Sequence, residues 1–125
     1  MDQAIVLVVE DELGVQRILK EMLAEEGFDV QIASNGAAAL QLLEVINPDL
    51  IVTDLLMPEL GGVGLIQQVR KQERFAQLPI VALSGYGQSL EPAAIAAGAT
   101  LVLRKPDDIP HLIETVNRLL GRSEA

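Results

Sequence analysis

The chain has no cysteine and no tryptophan, and its only aromatic residues are Phe28, Phe75 and Tyr86. Without thiols, disulfides and thiolate metal sites are excluded. With so few rings, the core must be aliphatic. Cations are scarce as well: nine Lys and Arg stand against 18 Asp and Glu, a net charge of −9. That balance argues against nonspecific nucleic-acid binding, which needs clustered positive charge. No apolar run reaches the ~20 residues of a membrane span, and Met1-Asp2-Gln3 lacks the basic start of a secretory signal. The expectation is a cytoplasmic domain with no direct nucleic-acid or membrane contact. At 125 residues, 50% of them hydrophobic, the chain fits one domain with a sizeable core.

Short apolar runs alternate with longer helical patterns. Ile5–Val9 is a continuous, mostly β-branched run, expected of a strand buried on both faces. Leu13 to Glu26 reads as a helix closed by Gly27. Phe28–Ala33 makes a second strand, and Asn35-Gly36 a turn or cap. Ala37–Ile46 reads as a helix ending before Asn47-Pro48, because a residue preceding proline avoids the α region. Leu50–Thr53 is a third strand, followed by a loop over 57–62 and a helix from Val63 to Arg74. Pro79–Leu83 is a fourth strand, Ser84-Gly85-Tyr86-Gly87 a loop, Glu91–Ala97 a short helix and Thr100–Arg104 a fifth strand. The last helix is placed from Asp108 to Leu120, with Pro110 in its first turn, where proline is tolerated. Five β–α units predict an α/β fold: a five-stranded parallel sheet with five helices on its two faces and right-handed crossovers.

Three of the strand-like runs stop at charged residues: Glu10-Asp11, Asp54 and Lys105. With sheet order 2-1-3-4-5, all of these, and Ser84 after strand four, fall on one edge. That is the carboxyl edge, where open α/β sheets bind ligands. Singly, Asp11 reads as a solvated cap of the next helix, Ser84 as a turn residue and Lys105 as a solvated charge. Their shared edge makes them a site. Clustered acids repel, and a cation relieves the repulsion. Mg²⁺ takes oxygen ligands and keeps several waters. Asp11 and Asp54 can supply carboxylates, the backbone carbonyl of Leu56 a third ligand, and Glu10 can hold a metal-bound water.

The stretches Val8-Val9-Glu10-Asp11-Glu12, Asp54-Leu55-Leu56-Met57-Pro58, Ala82-Leu83-Ser84-Gly85 and Lys105-Pro106 resemble the receiver domain of two-component response regulators. The likeness covers nearly the whole chain, in order. It implies a flavodoxin-like doubly wound fold over 1–121, with 122–125 as a tail or linker stub. It implies that Asp54 accepts a phosphoryl group from a histidine kinase or histidine phosphotransfer protein, that Glu10 and Asp11 are the acidic pair for Mg²⁺, and that Ser84 and Lys105 contact the phosphoryl group. It further implies a cis bond before Pro106, and a switch in which Ser84 moves and drags its loop and the next helix, as a monomer or weak homodimer acting on an output partner. Partner recognition would involve the first helix, around Val15 to Met22.

The chain also departs from the family. Val102 stands where an aromatic switch residue is usual, three positions before the lysine, so output is expected to differ from the commonest relay. Leu56 and Tyr86 flank the chemistry and are expected to shield an acyl phosphate from water, giving slow autodephosphorylation. Asp107 is expected to cap the last helix with Asp108. His111 has no clustered partner. Gly61, Gly62 and Gly64 read as a turn and helix start, not a phosphate loop. An aspartate-nucleophile phosphatase of the haloacid dehalogenase type would need a second acid where Leu56 stands. A flavin-binding domain would set its phosphate against Glu10-Asp11-Glu12. The expectation is therefore a switch and not a metabolic enzyme.

Overall fold

The computed structural model describes residues 3–85 and 89–122. Among them, five strands alternate with five α-helices: β1 (Ile5–Val9), α1 (Leu13–Glu25), β2 (Asp29–Ala33), α2 (Gly36–Leu42), β3 (Leu50–Asp54), α3 (Gly62–Arg70), β4 (Ile80–Ser84), α4 (Glu91–Ala97), β5 (Leu101–Arg104) and α5 (Leu112–Leu119). All pairings are parallel, as the alternation predicts, and the order is β2-β1-β3-β4-β5, as expected.

The strands are apolar on both faces because both faces are covered. Successive strand side chains point to opposite sides. Leu7, Val9, Ile51, Ile80 and Ala82 pack with Ala39 of α2, Leu65, Ile66 and Val69 of α3 and Ala94 of α4. Val6, Val8, Leu50, Val52, Val81 and Leu83 pack with Leu19 and Leu23 of α1 and Leu112 and Val116 of α5. Each buried Leu or Val contributes roughly 1.5–3 kcal/mol relative to exposure, so two mainly aliphatic layers hold the sheet. Phe28 and Phe75 are buried, one in each layer, each under an arginine, Arg122 and Arg74 respectively, at 4.2 Å from ring centroid to guanidinium carbon.

Register decides the site. Val9 pairs with Thr53, Asp54 with Leu83, and Ser84 with Arg104. In that register Val9, Thr53, Ala82 and Val102 lie level, so β3 runs one residue and β4 and β5 two residues past the end of β1; Asp54 and Ser84 close their strands while Glu10 and Lys105 follow theirs, all at the same edge.

Several boundaries differ from the sequence reading. α2 ends at Leu42, not Ile46. The chain keeps winding, but Glu44 and Val45 donate to Gln41 and Leu42 in tighter turns before Asn47-Pro48. α3 ends at Arg70 because Gln72 is extended (φ −90°, ψ 121°) and a 3-10 turn over Glu73–Phe75 follows. There the Arg70 guanidinium clamps the Phe75 and Gly98 carbonyls at 2.7 and 2.8 Å. The last helix opens as a 3-10 turn over Ile109–His111, with α5 proper starting at Leu112. Asp108 precedes that turn but does not cap it through its side chain. Its carboxylate instead accepts from the Arg104 N–H at 2.9 Å, which corrects the predicted capping role. Asp11 does not cap α1 either; Glu12 holds the cap position, without a side-chain bond. Ser84 ends β4 instead of opening a loop.

Gly61 and Gly62 form the turn and start of α3. A Cβ on Gly62 would collide with the Asp54 carbonyl oxygen and approach the Leu55 Cα at 2.8 Å. Only glycine lets α3 begin this close to the end of β3. Gly14, in the first turn of α1, has nothing within 4 Å of such a Cβ. Gly62→Ala should therefore lower unfolding free energy by about 1–3 kcal/mol. Gly14→Ala should be neutral or stabilising by up to about 1 kcal/mol. Urea denaturation of both checks this, and equal effects would contradict the packing argument.

Candidate functional site

Three carboxylates and one ammonium meet at the carboxyl edge. Glu10 and Asp11 follow β1, Asp54 ends β3, and Lys105 follows β5. One oxygen of each acid lies within 4.8 Å of the others. The Lys105 Nζ stands 3.2 Å from Asp54 Oδ2 and 3.4 Å from Glu10 Oε1. The other Asp54 oxygen, Oδ1, accepts from the Leu55 N–H at 2.9 Å, which fixes the carboxylate and leaves Oδ2 facing the lysine. Glu10 and Asp54 are buried and Asp11 is exposed, so the site opens to solvent on the Asp11 side. The Lys105–Pro106 peptide is cis, as the resemblance implies.

Ser84 is buried at the end of β4. Its carbonyl accepts from the Lys105 N–H at 2.7 Å, joining the two strand ends. Its hydroxyl, however, donates to Glu91 Oε1 at 2.9 Å. Leu56 lies in the loop after β3 with 62% of its surface exposed. Val102 is half-buried on β5, opposite Ala82. Tyr86 lies outside the described residues, so its shielding role has no structural account. His111 lies just before α5, and the three-acid cluster does not include it.

Three residues in and around the site were not singled out from the sequence. Gln16 is buried, and its amide donates to the Glu10 carbonyl at 2.6 Å, holding the β1–α1 turn from below. Its signal was present: Gln16 shares the inward line of α1 with Leu19 and Leu23, and a polar residue on that line must find a partner. Glu91 and Arg104 meet at 2.9 Å, a contact between distant segments that no local pattern announces.

Burial, more than any other cause, pushes the Glu10 carboxyl up from 4.5 to about 8; the neighbouring Asp54 adds to this and Lys105 opposes it. Glu10 Oε2 is the one buried side-chain polar atom among the described residues with no hydrogen-bond partner. Burial lowers the Lys105 ammonium, but the charges of Asp54 and Glu10 outweigh that and leave it above its ordinary value. A carboxyl whose folded value is raised stabilises the fold below its unfolded value and loses that stability as pH rises through the folded one. The metal-free protein should therefore lose stability between about pH 4.5 and about pH 8. Glu10→Gln should remove that slope and be about 1–3 kcal/mol more stable than the parent above it. Denaturation in the presence of chelator across this range checks it; a flat parent profile would contradict it.

The chain resembles proteins of one kind. The family model for the response regulator receiver domain matches residues 6–117. An uncharacterised 14.6 kDa protein of Leptolyngbya boryana is 39% identical over 114 residues, covering 90% of this chain and 87% of that protein. The DNA-binding dual master transcriptional regulator RpaA of Synechocystis is 31% identical over 120 residues, covering 95% of this chain but 50% of RpaA. The chain spans about half the length of several curated regulators it matches. The receiver domain of Francisella response regulator 1452 superposes with a TM-score of 0.85 at 32% identity, covering 98% of this chain and 100% of that one. A phosphoacceptor role fits this family, as does an acidic Mg²⁺ site. The sheet order, the acidic edge with its lysine, and a family match over most of the chain lead to one conclusion: this chain belongs to the receiver domains of two-component response regulators.

Proposed function

We propose that Asp54 is the phosphoacceptor, and that residues 1–121 act as a phosphorylation-controlled receiver with 122–125 as a tail or linker stub. The observation that carries this is the Asp54 carboxylate, with Oδ1 held by the Leu55 N–H and Oδ2 set 3.2 Å from the Lys105 ammonium. An Asp54 oxygen attacks the phosphorus of a phosphohistidine. The bond from phosphorus to the donor nitrogen breaks, and its electron pair leaves with the imidazole. The product is an acyl phosphate. Such transfer demands positioning and charge neutralisation more than covalent assistance. Lys105 is placed to give up its pairing with the carboxylate for one with the phosphoryl oxygens.

The donor set fits Mg²⁺: all oxygen, three acids within 4.8 Å of one another, and one buried Glu10 oxygen without a partner. Asp11, Asp54 and the Leu56 carbonyl would hold the ion, with Glu10 beside it through water. When bound, it supplies positive charge against the phosphoryl oxygens.

The donor would be a histidine kinase or histidine phosphotransfer protein meeting α1. Leu13 and Ile18 of α1 are exposed, and a hollow of about 420 Å³ lined by Val15, Ile18, Leu19, Pro106 and Ile109 reaches Lys105. That is an apolar seat next to the reactive edge. No helix among the described residues is long and apolar enough to cross a membrane, which supports a cytoplasmic setting. The net charge of −9 supports a chain that does not itself contact nucleic acid, although RpaA is a DNA-binding protein. Output goes through a partner or an adjoining domain, from a monomer or weak homodimer. The chain catalyses only its own phosphotransfer and slow dephosphorylation.

Incubation with acetyl phosphate and Mg²⁺, followed by intact mass measurement, should show one phosphoryl addition. Asp54→Ala should abolish it and Lys105→Ala should reduce it at least tenfold. Steady phosphate release from a panel of phosphate esters would instead favour the phosphatase reading. Decay of the phosphorylated protein tests the flanking side chains. Leu56→Ala and Tyr86→Ala should each hasten it several-fold, and an unchanged rate would remove that residue from the shield.

A further inference from the structure

Ser84 has one hydroxyl proton to donate, and in this structure the proton is engaged. Ser84 Oγ donates to Glu91 Oε1 at 2.9 Å. The same Glu91 oxygen accepts from Arg104 Nε at 2.9 Å, and Arg104 Nη2 reaches Glu91 Oε2 at 3.4 Å. The fold explains why three residues from three elements meet. Ser84 pairs with Arg104 across β4 and β5. Both lie two positions beyond Ala82 and Val102, which pack on the side of the sheet that carries α4. Glu91 is the first residue of α4. Pairing with Arg104 and Ser84 holds the Glu91 carboxyl below its ordinary value, so it stays an acceptor at neutral pH.

We propose that Glu91 is a positioning residue that holds the Ser84 hydroxyl in the unphosphorylated state and competes with the phosphoryl group for its proton. This rests on the reading of Asp54 as phosphoacceptor. A hydroxyl bonded to the Glu91 carboxylate cannot also donate to a phosphoryl oxygen. When Ser84 turns toward the phosphoryl group, Glu91 loses that partner and keeps Arg104. The first turn of α4 is thereby released from β4 but stays tied to β5. A charged link of this kind supplies a connection between the site and the α4–β5 face, in a chain whose Val102 has no ring to swing. The contact with Glu91 opposes activation, so removing it favours the state in which Ser84 is turned inward.

The test uses beryllium fluoride with Mg²⁺ as a phosphoryl mimic, its affinity measured by titration calorimetry. Glu91→Ala should bind it about fivefold more tightly than the parent, the effect of losing one charge-assisted competitor. Glu91→Gln, which keeps an acceptor oxygen without the charge, should fall between and remains informative if the alanine variant folds poorly. In a Ser84→Ala background the same Glu91 substitutions should change nothing, because the competition has lost its proton. If the parent binds the mimic but the Glu91 variants bind no more tightly, or if the tightening persists without Ser84, the latch is wrong and the receiver reading stands. If the parent shows no Asp54-dependent binding, the phosphoacceptor reading fails and the latch fails with it.

Discussion

The ammonium of Lys105 sits between two buried carboxylates, 3.2 Å from Asp54 and 3.4 Å from Glu10, and the site depends on that contact. Two acids taken out of water on neighbouring strands would repel each other and resist burial. One cation from a third strand offsets that repulsion. The balance is incomplete, since Glu10 is pushed toward its protonated form and keeps an unpartnered oxygen. An edge with three acids and one lysine is short of positive charge, and a hard cation restores the balance. That deficit is what supports the proposed Mg²⁺ seat.

The sheet's register supplies the geometry. Strands one, three, four and five end within two residues of one another in register, so residues 10, 54, 84 and 105 come to one edge although up to 95 positions separate them in sequence. α3 starts hard against the end of β3 because Gly62 carries no side chain. Asp54 is therefore held by its neighbour's N–H, by the lysine and by close backbone packing. The same edge carries a second charge cluster, Ser84–Glu91–Arg104, which links it to α4 and β5.

Much of this was legible in the sequence. Runs such as Ile5–Val9 and Leu50–Val52 are apolar at every position because both sheet faces are covered, and acids stand at their carboxyl ends, where the site lies. The order and direction of the strands follow from the β–α alternation together with the resemblance. Glu10, Asp11, Asp54 and Lys105 could be read because each directly terminates such a run. Helix ends were less legible. α3 stops at Arg70 because Gln72 is extended and a 3-10 turn follows, held by the Arg70 guanidinium on the carbonyls of Phe75 and Gly98, and the last helix opens as a 3-10 turn while Asp108 serves the Arg104 N–H. Those outcomes depend on tertiary partners. The Glu91 contact was equally invisible, because the register that sets Arg104 beside Ser84 is a property of the folded sheet.

The central claim is that one particular carboxylate carries the phosphoryl group. The most direct measurement is to phosphorylate the protein with acetyl phosphate and Mg²⁺, reduce the acyl phosphate with borohydride, and map the product by peptide sequencing. The account predicts homoserine at position 54 and nowhere else. Reduction at another acid, or phosphate found stably on Ser84 or His111 with Asp54 unmodified, would contradict it.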